Sequence, residues 1–142
     1  MTNQQKKQWL QQYRLSGNEI ERLEQEIEQW TSLAERTTAS ICSTPVSGGG
    51  GDRLQECVEH LDKLQHQQAD TIEHWMQMRK DILTAIDTVP DERLRLLLHY
   101  RYIDGHTFEQ IAVETNYSFR QVLRLHGDAL SDMRIKMSLN VT

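Results

Sequence analysis

From Ile20 onward, apolar side chains return in steps of three, four, three and four: Ile20, Leu23, Ile27, Trp30, Ala34. That spacing draws one stripe along a helix, and with Trp9 and Tyr13 it predicts a helix over about 3–36. Ser16-Gly17 lies inside it as a candidate kink, since glycine mid-helix costs about 1 kcal/mol relative to alanine. A second stripe runs Leu54, Val58, Leu61, Gln65, Gln68, Ile72, Trp75, Arg79, Ile82, Ile86, Val89. It predicts a helix over about 52–88 with a polar interruption at Gln65, Gln68 and Arg79, opened by Asp52 as its cap. Between the two lies a Thr, Ser, Pro and Gly-rich connector, 37–51, ending in Gly48-Gly49-Gly50-Gly51. No strand precedes the glycines and no Lys-Ser/Thr follows, so a phosphate loop is not supported. Two helices of similar length on a loose connector are expected to fold back as an antiparallel hairpin over 1–89.

Pro90, with Asp91 and Glu92 behind it, opens a third predicted helix, 90–103, burying Leu94, Leu97, Leu98 and Tyr102. Gly105 is expected to end it in a left-handed cap. Two capping boxes then follow. Thr107-Phe108-Glu109-Gln110 starts a helix of about eight residues with Phe108, Ile111 and Ala112 inward, and Ser118-Phe119-Arg120-Gln121 starts a longer one over about 118–136. Asn116 is expected to take the left-handed turn between them, with Tyr117 as a plug beneath it. Short helix, tight turn, longer helix are the parts of a helix-turn-helix, assigned to 90–142. Val122, Leu125, Ala129, Leu130 and Met133 form the inward face of the last helix, leaving Phe119, Arg120, Gln121, Leu123, Arg124 and Asp128 outside.

Composition supports an all-α chain and narrows its chemistry. Only two prolines occur in 142 residues, and no run of strand-favouring residues is present. The net charge of −5 is unusual for a nucleic-acid binder. It divides unevenly, with nine Lys/Arg against 14 Asp/Glu in residues 1–89 and seven against seven in 90–142. A module so weakly charged makes few phosphate contacts, so a second copy or another protein is expected to help it bind. Cys42 and Cys57 form no CxxC pair and are read as free thiols in a reducing cytoplasm. No apolar run is long enough for a membrane helix and no signal-peptide core opens the chain. Six histidines show no metal-ligand spacing, and no paired acids or nucleophile constellation suggests catalysis; no cofactor or enzymatic activity is expected. Arg134 and Lys136 are read as charges complementing the end of the last helix.

The strings Tyr100-Arg101-Tyr102-Ile103-Asp104-Gly105, Thr107-Phe108-Glu109-Gln110-Ile111-Ala112, Tyr117-Ser118-Phe119-Arg120-Gln121-Val122 and Gly127-Asp128-Ala129-Leu130 resemble region four of bacterial sigma factors. With the Ser47-Gly48-Gly49-Gly50-Gly51-Asp52 run and the Arg124-Leu125-His126-Gly127-Asp128-Ala129-Leu130 string, nearly the whole chain resembles phage late-gene transcriptional activators of the RinA and ArpU type. The resemblance implies a sequence-specific DNA-binding activator of phage late or packaging genes in a bacterial host, reading duplex DNA through the helix over 118–136. Carried onto this chain, it assigns Thr107 and Ser118 to phosphates, and Arg120, Gln121 and Arg124 to bases or flanking phosphates. Phe119 and Asp128 depart from the sigma pattern, and Phe119 is a candidate for a thymine methyl contact or for packing on a partner. His126, beside Arg124, is a further candidate for phosphate. RNA polymerase and a second copy of the chain are the other partners this reading raises. The alternatives are a DNA-packaging component resembling a small terminase subunit, and a protein-only adaptor that binds RNA polymerase.

Overall fold

The computed structural model describes residues 1–43 and 50–136, with side chains described for 1–39 and 51–136. All regular structure among them is helical. Helix α1 spans Asn3–Ser43, α2 Gly50–Ile86, α3 Glu92–Leu98, α4 Phe108–Thr115 and α5 Phe119–Asp132, with a π-helical turn, His99–Ile103, following α3. The described part of the chain separates into two compact units. One joins 1–16 to 75–136, and the other is 17–74. This division differs from the expected domains 1–89 and 90–142: both long helices contribute an end to the unit that holds α3, α4 and α5.

In the first unit a single core gathers Leu10 and Tyr13 of α1, Ile82, Ala85 and Ile86 of α2, Val89, and the inward residues of the remaining helices. Leu10, Ile82, Leu98, Ile111, Val122 and Met133 are fully buried. Burying each such side chain is worth about 1.5–3 kcal/mol, which none of these short helices obtains alone. Tyr13 stacks flat on Trp75, ring centroids 4.9 Å apart. The Trp75 indole N–H donates to the Tyr13 carbonyl at 3.0 Å, and Arg79 donates to the Tyr13 hydroxyl at 3.0 Å. Arg79 therefore has a partner on α1, and its place in the seam is explained. Leu10, which the stripe drawn from Trp9 and Tyr13 passed over, is buried here.

The second unit pairs the remaining stretches of α1 and α2 around Leu23, Cys57 and Leu64, with Trp30 packed on His60 at 4.2 Å. The sequence stripe is one residue out of register here. Val58 is 53% exposed and Gln65 exposed, while their neighbours Cys57 and Leu64 point inward. Both choices keep steps of three and four, so periodicity alone cannot separate them, but Leu64 in place of Gln65 removes much of the polar gap.

Several boundaries also move. α1 continues through Ser16-Gly17 without a break and on to Ser43, so Thr37 and Thr38 are helical, each hydroxyl donating to the carbonyl four residues back. α2 begins at Gly50, which places Asp52 in its first turn, not at its cap; the expected connector 37–51 is therefore helical at both ends, and its middle, 44–49, lies outside the described residues. α3 begins at Glu92, so Pro90 stands before the helix it was expected to open, and Asp91 caps it, its carboxylate accepting from the Arg93 backbone N–H at 2.9 Å. Gly105 takes φ +73 as expected, and Asn116 takes φ 60.

Candidate nucleic-acid interface

Local hydrogen bonding fixes the start of α4 and α5. At α4 both arms of the capping box are made: the Gln110 backbone N–H donates to the Thr107 hydroxyl at 3.1 Å, and the Thr107 N–H donates to the Gln110 side chain at 2.8 Å. At α5 one arm forms, the Gln121 N–H donating to the Ser118 hydroxyl at 3.1 Å. The return arm is not made, so the Gln121 side-chain amide keeps its donors and acceptor for other partners. Between the helices, Asn116 holds the left-handed turn, and Tyr117 is half-buried against the core.

The inward face of α5 is the expected one, with Val122, Leu125, Ala129, Leu130 and Met133 all buried. Arg120 and Arg124 stand one helical turn apart on the outward face, both exposed, and neither enters an ion pair among the described residues. With Ser118 and Gln121 they line a depression of about 510 Å³. Phe119, 45% exposed, and Leu123, 42% exposed, form a parallel apolar strip beside them. Asp128 is exposed one turn beyond Arg124. Thr107 is exposed at the start of α4 and does not line that depression.

His126 does not belong to this surface. It is 8% exposed, its Nε2 lies 2.6 Å from the Tyr102 hydroxyl, and the Phe108 ring meets it edge-on at 4.9 Å. Burial, helped by Lys7 and Arg101 nearby, pushes its pKa down to about 4. A neutral imidazole enclosed by Tyr102 and Phe108 cannot serve as a phosphate contact. The same burial raises Tyr102 to about 12, so a protonated hydroxyl faces the neutral imidazole. The signal was present in the sequence, since position 126 falls four residues after Val122 and three before Ala129, on the apolar stripe.

The end of α5 is also corrected. The helix stops at Asp132, with Met133 extended, so Arg134 and Lys136 lie beyond it and do not cap it. The charge that complements its carbonyl end comes from α1: the Lys6 ammonium donates to Leu130 O at 2.7 Å and Ser131 O at 3.4 Å. Asn3 adds a bond to the Ser131 hydroxyl at 3.0 Å. The segment after α5 is tied down instead by the Arg134 N–H donating to the Thr88 hydroxyl at 2.8 Å.

Comparison with known proteins finds no matching family model, no matching curated sequence and no matching solved structure. Among the described residues no group of three or more His, Cys, Asp or Glu is arranged to hold a metal ion, and no helix is long and apolar enough to cross a membrane.

Proposed function

We propose that this protein is a sequence-specific DNA-binding transcriptional activator, in which α4, the Asn116 turn and α5 act as a helix-turn-helix. One observation carries the reading: Arg120, Gln121 and Arg124 are grouped in the first turns of an amphipathic helix, turned away from the core. In this class of motif the opening residues of the second helix meet base edges in the major groove. Arginine pairs with guanine and glutamine with adenine through two hydrogen bonds each, and a pair of that kind discriminates by about 1–3 kcal/mol. Ser118 and Thr107, at helix starts, supply phosphate contacts. The resemblance to phage late-gene activators adds the biological setting: promoters of late or packaging genes inside a bacterial host, with RNA polymerase as a further partner.

The test is selection of binding sites from random duplex DNA, followed by gel-shift titration. Wild-type protein is expected to enrich a defined site, and Arg120→Ala with Arg124→Ala to lose it while far-ultraviolet circular dichroism stays the same. Undiminished site-specific binding by that double variant overturns the assignment.

A protein-only adaptor is favoured by a different observation, the exposed Phe119 and Leu123 beside the arginines. Under that reading the protein co-purifies with RNA polymerase through Phe119 and Leu123 and retains no duplex DNA at any salt concentration.

A further inference from the structure

The charge of the chain is sorted by unit. Residues 17–74 carry four Lys/Arg against 12 Asp/Glu, a net of −8. The other unit carries 12 against nine, a net of +3. Within it, residues 75–142 are balanced at nine and nine, so the whole excess comes from Lys6, Lys7 and Arg14 in a stretch of α1 that contains no acid. The weakly charged module expected from the sequence is supplemented by the opposite end of its own chain.

These three cations have different surroundings. Lys6 is engaged with the carbonyls that end α5. Lys7 and Arg14 are seven residues apart with Gln11 between them, a spacing that puts all three on one face of α1. Arg14 donates to Gly105 O at 3.2 Å and Arg101 donates to His106 O at 3.1 Å, so two guanidinium groups bracket the two residues immediately before the Thr107 cap of α4. Arg101 also lies over the Phe108 ring at 4.3 Å. Gln11, Arg14, Arg101 and Tyr102 line a small cleft of about 60 Å³. Asp104 is the acid nearest in sequence, and neither arginine nor Lys7 pairs with it or with any other carboxylate among the described residues.

Gly105 fits this arrangement. A Cβ there would sit 3.5 Å from the Arg14 guanidinium, and the positive φ already disfavours a side chain, so the guanidinium rests directly on the turn. Arg14 and Arg101 are therefore held at the N-terminal turn of α4, where the helix dipole also favours an anion. Lys7 follows on the same face of α1, and both it and Arg101 act on His126, whose ring meets Phe108.

From this we infer that Lys7, Arg14 and Arg101 form a second contact site of the DNA interface, gripping the phosphodiester backbone beside the start of α4. The inference rests on the helix-turn-helix reading, because in that docking geometry the first helix crosses the backbone while the second enters the groove. Such contacts position without reading sequence. They supply in cis the charge that a neutral module lacks, so a second copy of the chain is not needed for that purpose.

The experiment is the salt dependence of binding to the selected duplex, using the full chain. Each phosphate contact removed lowers the slope of log K against log salt by about 1. Lys7→Gln is expected to lower it by about 1 and Lys7→Gln with Arg14→Gln by about 2, with affinity falling equally on the selected site and on an unrelated duplex. Because Arg14 also holds Gly105, thermal unfolding of both variants is measured alongside; Lys7→Gln keeps the test valid if the double variant is destabilised. Wild-type slopes in both folded variants overturn the inference and leave the recognition-helix reading standing. Failure of the wild type to bind any duplex removes both.

Discussion

At the scale of single residues, the most consequential pair is Tyr102 and His126. Free histidine titrates near 6.5, but burial holds this one near 4. Between those values the unfolded chain binds a proton that the folded chain refuses, so stability falls as pH is lowered through that window and is complete above about 6.5. The contribution is on the order of 3 kcal/mol between pH 7.5 and 4. Thermal unfolding of His126→Leu is expected to lose that share of the acid sensitivity. At neutral pH it starts from a lower midpoint, because the buried Tyr102 hydroxyl is left without its partner, at a cost of about 1–3 kcal/mol. An unchanged pH profile in the variant contradicts the assignment. The outward placement of Arg120 and Arg124 was legible at this scale, because the apolar residues of α5 define an inward face and leave only one direction for the rest. His126 was misplaced for a chemical reason: an imidazole beside Arg124 looks like a phosphate ligand until its position on the stripe is weighed above its chemistry.

At the scale of elements, the caps of α4 and α5 were the most readable feature, whereas the cap expected at Asp52 falls inside α2. Thr107 and Ser118 hold the positions assigned to them, and Gly105 and Asn116 take the positive φ their turns demand. These signals are local, so neighbouring residues alone determine them. The difference between the two caps has an energetic reading. Ser118→Ala removes the single side-chain bond at the start of α5 and is expected to cost about 1 kcal/mol in denaturant unfolding. Ser118→Gly should recover most of that loss, and a variant equal to wild type argues that water satisfies the Gln121 N–H equally well. Other features were not local. The π turn at His99–Ile103, with the Asp104 N–H reaching back to His99 O at 3.0 Å, carries no distinctive composition. It brings Tyr102 to its place against His126, and tertiary packing specifies it. The register of α2 in the second unit was likewise undetermined, since Cys57 and Leu64 satisfy the same spacing as Val58 and Gln65.

Across the whole molecule, each compact unit has its own buried residues, although two helices run through both. Leu23 is buried in one and Ile111 in the other, and neither is exposed at all. Leu23→Ala is expected to cost about 2–5 kcal/mol and to speed amide hydrogen exchange within 17–74 while leaving α4 and α5 protected; Ile111→Ala should do the reverse. Uniform acceleration across both units in either variant shows one cooperative structure instead. Pro90 followed by Asp91 and Glu92 marks where a helix begins, not where a core ends. Only packing shows that Leu10 and Tyr13 at one end of the chain belong with Leu130 and Met133 at the other.

The separation of charge has a practical result at the bench. A protein with pI near 5.6 is ordinarily expected to pass through a polyanionic resin at neutral pH. Here the bulk titration average conceals a cationic unit, so the chain is expected both to load on an anion exchanger through residues 17–74 and to be retarded on heparin through the remainder. Its isoelectric point misdescribes how it will partition between the two columns.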